Sequence, residues 1–165
     1  MIVNRSSRLV LICAAVALAG GCALSAGADA QTPAKPKAGK SEVGATHKVA
    51  IQVSDNDKNL MNRALNNTKN LVDFYQARGE TVVVEIVTFH DGLHMLRSES
   101  PVKDRIAVMS LENPNIKFIA CANTQANQSK AEGKPVTLLS EAKVMPSGVV
   151  RLIELQKQGY AYIRP

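Results

Sequence analysis

Strand-like runs and helical periodicities alternate from residue 48 to the end of this chain, and that alternation restricts the folds open to it. Residues 48–53 are strand-like, and Ser54-Asp55-Asn56-Asp57 follows as a turn offering several helix caps. Leu60, Met61, Ala64, Leu65, Thr68, Leu71, Val72 and Tyr75 then recur on one helical face, and Gly79 is placed to end that helix. Residues 81–89 are β-branched and almost continuously apolar, which predicts a strand buried on both faces. A short segment at 92–97 precedes Ser100-Pro101, read as cap and first helical position, with a helix to about residue 111.

Asn113-Pro114-Asn115 turns the chain into the run 116–121, and a polar helical piece follows. Residues 142–145 read as a short fourth strand. Ser147 is placed to cap a last helix carrying Val149, Leu152, Ile153 and Gln156, and residues 160–163 form a final strand. Strands separated by helices throughout predict an α/β domain, its mostly parallel sheet covered by helices on both faces. In such sheets functional groups gather where strands end, at the C-terminal edge.

Cys121 falls at that edge. It closes the apolar run Ile116-Lys117-Phe118-Ile119-Ala120 and opens the polar stretch Ala122-Asn123-Thr124-Gln125. A thiol at a strand-to-helix junction can face unpaired backbone N–H groups, whose field favours the thiolate. The main-chain donors of Ala122, Asn123 and Thr124, with the Asn123 and Thr124 side chains, are the candidate binding groups. The alternative is a small buried hydrophobe, the usual condition of a free cysteine. His90 falls at the same edge, at the end of the preceding strand, with Asp91 next to it. His90 and His94 are four residues apart, a metal-ligand spacing on a helix, with Asp91 or Cys121 as third ligand. The break between strand and following segment favours plain loop residues instead, so no metal and no cofactor is assigned. Arg151 reads as a surface charge, and Ser147-Gly148 as a capped helix start able to face an anion.

The first thirty residues have the form of an export signal. Arg5 and Arg8 precede an apolar run at 9–19 that is too short to span a bilayer, and Ala28-Asp29-Ala30 suits a signal peptidase. The expected mature start is Gln31, in the periplasm. Leu18-Ala19-Gly20-Gly21-Cys22 is a competing lipobox-like site that would retain a lipidated Cys22. Cleavage after Ala30 removes Cys13 and Cys22, so Cys121 is then the sole thiol and no internal disulfide can form. Residues 31–45 are rich in Pro, Ala, Lys and Gly, lack aromatics and periodicity, and read as a disordered linker. Residues 46–165 remain as one domain. The chain carries 20 Lys and Arg against 14 Asp and Glu, but it has no Trp, three Phe and three Tyr. No basic stripe is interleaved with aromatics, so nucleic acid is not an expected partner. No later segment is apolar and long enough to be a transmembrane helix.

Several short segments, in order, resemble the exported single-domain members of the DsrE/DsrF-like family. They are Ser54-Asp55-Asn56-Asp57; Ala64-Leu65-Asn66-Asn67 with Asn70; Gly92-Leu93-His94-Met95-Leu96-Arg97; and Ser100-Pro101-Val102-Lys103. Cys121-Ala122-Asn123-Thr124, Pro146-Ser147-Gly148-Val149-Val150-Arg151-Leu152 and the ending Gly159-Tyr160-Ala161-Tyr162-Ile163-Arg164-Pro165 continue the series. The resemblance implies a three-layer, flavodoxin-like domain with a five-stranded sheet, and a homo-oligomer, a trimer or a multiple of it. It also implies a sulfur carrier or sulfurtransferase that holds a persulfide on Cys121 and exchanges it with donor and acceptor thiols. This chain departs from the family in having Phe89-His90-Asp91-Gly92 where members often have Tyr-Gly-Pro-Gly, and Ala122 where they have Gly. His90 and Asp91 are therefore candidate tuning groups. The rival reading is a non-enzymatic oligomeric module that binds a small anionic or thiol ligand beside an inert Cys121.

Processing is decided by the intact mass of the exported protein. A species starting at Gln31 is expected, and a lipid-bearing species starting at Cys22 would contradict it.

Overall fold

The computed structural model describes Gly44 and residues 46–165. The expected leader at 1–30, the Cys22 site and, Gly44 apart, the linker at 31–45 lie outside the described residues. Five strands, β1 (Thr46–Val53), β2 (Thr81–Thr88), β3 (Ile116–Cys121), β4 (Ala142–Met145) and β5 (Ala161–Ile163), form one sheet in the order β4-β3-β2-β1-β5. Every pairing in it is parallel. The connecting helices are α1 (Lys58–Gln76), α2 (Lys103–Glu112), α3 (Ala122–Glu132) and α4 (Gly148–Lys157), with a 3₁₀ segment at His90–Leu96.

Strand order explains the layers. The chain steps from β1 through β2 and β3 to β4 in one direction, then returns past them all to place β5 beside β1. Right-handed crossovers put connections of opposite direction on opposite faces. The two cores are partitioned in that way. Val49, Ile51 and Val53 of β1, Val84 and Ile86 of β2, and Ile116, Phe118 and Ala120 of β3 pack with Leu60, Met61, Ala64 and Leu65 of α1 and Ile106 and Met109 of α2. On the other face Ala50, Val87 and Ile119 meet Leu152 and Leu155 of α4. The result is a three-layer, flavodoxin-like α/β domain. Its reversal lies between β1 and β5, whereas flavodoxin itself reverses between its first and third strands.

Most local signals act as expected. Asp57 caps α1, its side chain accepting from the Asn59 N–H at 2.7 Å, and Ser147 caps α4 by accepting from the Val150 N–H. Several boundaries differ from the sequence reading: β1 starts two residues early, at Thr46, and β5 one residue late, at Ala161. Ser100 is buried and its hydroxyl accepts from the Val102 N–H at 3.3 Å, so Ser100-Pro101 forms a turn and α2 starts only at Lys103. β2 stops at Thr88, one residue early, because the chain turns sharply at His90. Among the described residues, no helix is long and apolar enough to cross a membrane.

The β2 run also hides a charge. Glu85 sits in its middle with only 1% of its side chain exposed, and Arg151 of α4 covers it. Arg151 is therefore the partner of a buried carboxylate and not the surface charge that its sequence position suggests.

Candidate functional site

Cys121 is the last residue of β3 and the N-cap of α3, at φ −79° and ψ 116°. Its neighbour across the sheet is Met145, the last residue of β4. Three residues beyond Met145, Gly148 begins α4. Two helix starts therefore converge on one sulfur, the start of α3 through the chain itself and the start of α4 through the β3–β4 register. The first-turn amides of a helix are unpaired donors at the positive end of its dipole.

Those donors set the thiol's acidity. Burial, with 5% of the residue exposed, pushes the Cys121 thiol up. The Thr124 hydroxyl and the main-chain N–H groups of Gly148, Thr124 and Asn123 act in the opposite sense, and the net position is below the ordinary thiol value. The cysteine side chain makes no cap hydrogen bond onto α3. These groups thus act on the sulfur as surrounding donors without a single dominant bond. The Asn123 N–H donates to the Pro146 carbonyl at 3.3 Å, which ties the start of α3 to the β4–α4 turn.

The Thr124 hydroxyl is held by the main chain of His90. The His90 N–H donates to Thr124 Oγ1 at 3.1 Å, which leaves the hydroxyl hydrogen to point elsewhere, and the sulfur is the nearby acceptor. The His90 carbonyl in turn accepts from Gln128 Nε2 at 3.1 Å, tying the same loop to the next turn of α3. His90 adopts φ +54°, the only left-handed non-glycine backbone among the described residues. Such a conformation is uncommon for histidine and persists where the surroundings impose it. Here two hydrogen bonds do so. The imidazole is exposed, as is Asp91, and His94 is half-buried. His90 thus reaches the site through its peptide groups.

Gly148 fits because it lacks a side chain. A Cβ there would lie 2.9 Å from Phe89 Cδ1 and 3.0 Å from Phe89 Cβ. The first turn of α4 thereby closes onto the residue next to His90. On the opposite side of that loop, a Cβ on Gly92 would collide with the Val53 carbonyl at the end of β1.

The sequence-expected residues are thus brought together unequally. Cys121, Asn123 and Thr124 share the site, His90 joins by its backbone, and Asp91 lies on the exposed loop. Ala122 follows the sulfur as the first residue of α3. No three His, Cys, Asp or Glu side chains converge closely enough for a metal among the described residues, so the His90/His94 pair has no third ligand. Gly148 is the donor that sequence reasoning did not connect to Cys121, since only the Cys121–Met145 pairing makes them neighbours. A cavity of about 630 Å³ lies at the other end of the sheet between α1 and α2, where Lys69, Asp73, Arg105, Glu112 and Ile116 line it. Ile116 begins β3 and Cys121 ends it, so this groove is not part of the thiol site.

No family model matches the chain, and no curated protein matches it. Among solved structures, the chain is similar to a protein of unknown function, MTH1491 from Methanobacterium thermoautotrophicum. The two share 27% sequence identity with a TM-score of 0.62, over 72% of this chain and 99% of that one.

The donor set makes a specific prediction. In wild type, alkylation of Cys121 should rise with pH to a midpoint below about 8.5, the value of a free cysteine. Thr124→Val, which keeps the volume and removes the hydroxyl, should raise that midpoint by about one unit. His90→Gly should leave it in place, because glycine adopts the left-handed backbone and keeps both peptide groups. An unchanged midpoint in Thr124→Val would remove the hydroxyl from the account.

Proposed function

We propose that this protein is an exported, DsrE-like sulfur carrier that holds a persulfide on Cys121 in the periplasm. The observation that carries the reading is the place of Cys121, which ends β3, caps α3 and pairs with Met145 three residues before α4 begins; the donors around it favour the thiolate over the effect of burial. A depressed pKa keeps the nucleophilic thiolate populated near neutral pH. The order and spacing of the family-like segments support the same reading. So does the three-layer sheet, which carries Cys121 at its C-terminal edge.

The chemistry is an exchange with no net oxidation. The Cys121 thiolate attacks the terminal sulfane sulfur of a polysulfide or persulfide. An Sγ–S bond forms as the adjoining S–S bond breaks, and the shortened donor leaves as its thiolate. The new outer sulfur is anionic, and the donors around Sγ lower the cost of that charge. An acceptor thiolate then attacks the outer sulfur, the S–S bond to Cys121 breaks, and the starting thiolate returns. With Cys121 the only cysteine among the described residues, the acceptor belongs to another molecule or another subunit.

A homo-oligomer, a trimer or a multiple of it, belongs to this reading. Val149, Val150 and Ile153 of α4 are 48–52% exposed and lie on one side of the helix. An apolar surface of this kind is suited to association with further copies. Light scattering on the mature domain at micromolar concentration should report such an oligomer, and a monomer alone would contradict it.

One observation favours the rival reading, a binding module with an inert cysteine: the thiol is 5% exposed, so a reagent must reach it through local opening. Mass spectrometry after a polysulfide pulse separates the two. Wild type should gain one or more sulfur atoms at Cys121 and yield them to a small thiol or to cyanide. Cys121→Ser should keep the fold and lose all uptake, because a serine oxygen forms no persulfide. Substituting Asp91, or His90 by Asn, should change the rate only modestly. A reduced wild-type thiol that takes up no sulfur would reject the carrier and leave the binding module in its place.

A further inference from the structure

Glu85 and Arg151 form a second constellation that sulfur exchange does not itself use. Glu85 lies on the face of β2 that α4 covers, since its strand neighbour Val87 and its cross-strand partner Ala50 both belong to the α4 core. A carboxylate with 1% of its side chain exposed is costly unless fully paired. Arg151 supplies two parallel bonds, Nε to Oε2 at 2.9 Å and Nη2 to Oε1 at 2.7 Å. Its Nη1 reaches Glu154 one turn along α4 at 3.4 Å. Lys117, the register partner of Glu85 on β3, brings its Nζ to 3.7 Å from Oε1. Burial and the negative Glu85 hold the Tyr160 hydroxyl above its usual range.

Helix α4 has little else to fix it. Only Gly148, Leu152 and Leu155 of the helix are buried. Apolar contact is non-directional and tolerates sliding or rotation of so small an interface. A bidentate guanidinium–carboxylate pair is directional, and it restrains both rotation and axial position. The Arg151 N–H donates to the Ser147 carbonyl at 3.0 Å, so the clamped residue closes the same turn that contains Gly148. That turn stands beside Cys121 through the pairing of Cys121 with Met145.

We propose that Glu85 and Arg151 are positioning residues whose bidentate pair holds the first turn of α4 in the place that presents the Gly148 N–H to the Cys121 sulfur. The inference deepens the reading of Cys121 as the reactive group and rests on it. The pair acts through helix placement and touches neither the sulfur nor a substrate.

The test is the pH dependence of Cys121 alkylation in full-length mature protein, with circular dichroism to establish folding. Arg151→Lys keeps the charge but loses the planar fork. Positioning then predicts a higher thiol midpoint and alkylation about threefold or more slower below it, half a pKa unit being about threefold in thiolate. A purely Coulombic role predicts no change. Glu85→Gln separates the mechanisms by sign: loss of a negative charge would make the thiol more acidic, whereas a weakened clamp makes it less so. The double variant Glu85→Gln/Arg151→Met leaves no buried charge unpaired, so it tests the same shift if a single variant fails to fold. In a Gly148→Ala background, Arg151→Lys should add nothing further.

A folded Arg151→Lys or double variant whose thiol titrates as wild type, or a more acidic thiol in Glu85→Gln, would overturn the inference. Sulfur uptake is scored separately. Wild type that takes up no sulfur while the variants shift the thiol would reject the carrier and leave the clamp standing. Uptake in wild type with unshifted variants would do the reverse.

Discussion

The parallel pairing of β3 with β4 is the contact on which the site depends. It aligns Cys121 with Met145, and from there the chain has only Pro146 and Ser147 before α4 begins at Gly148. The Asn123 N–H to the Pro146 carbonyl extends the contact one step beyond the strands. A one-residue slip would send every β4 side chain to the opposite face and carry the start of α4 away from the sulfur. The β4–α4 turn is therefore as much a part of the thiol site as the cysteine's own helix.

Two opposing forces meet at the sulfur. Burial disfavours the anion, while uncharged donors from two helix starts and one threonine favour it, and the donors prevail. Fixed dipoles would suit the proposed carrier, because they stabilise a sulfur anion without an opposite charge that must be stripped of water. The charges are kept elsewhere. Glu85 and Arg151 neutralise one another under α4, and Arg97 forms a bidentate pair with Glu132 of α3, at 2.5 and 3.0 Å.

The alternation of strands and helices was legible because burial imposes its own period. The β2 and β3 core wrote nearly continuous apolar runs, broken by Glu85 and Lys117, and α1 wrote an i, i+3, i+4 face. Cys121 was legible as a strand-end thiol for the same reason. What escaped sequence reasoning depends on pairings between distant segments. Glu85 and Arg151 are 66 residues apart, and neither position hints at the other. Gly148 was visible as a helix start but became a sulfur donor only through strand register. His90 was noticed for its imidazole, whereas the structure employs its N–H and carbonyl in a left-handed turn. Ser100-Pro101 carried a helix-start signal, and burial of the serine redirected its hydroxyl to a turn.

One sulfur faces the starts of two helices, α3 and α4. Nuclear magnetic resonance on uniformly ¹⁵N-labelled mature domain, selectively ¹³C-labelled at cysteine Cβ, measures it directly across a pH titration. The Cys121 Cβ shift and the Gly148 and Thr124 amide shifts should follow one common midpoint, below the value of about 8.5 for a free cysteine. A midpoint at or above that value, or a Gly148 amide indifferent to the ionisation of Cys121, would contradict it.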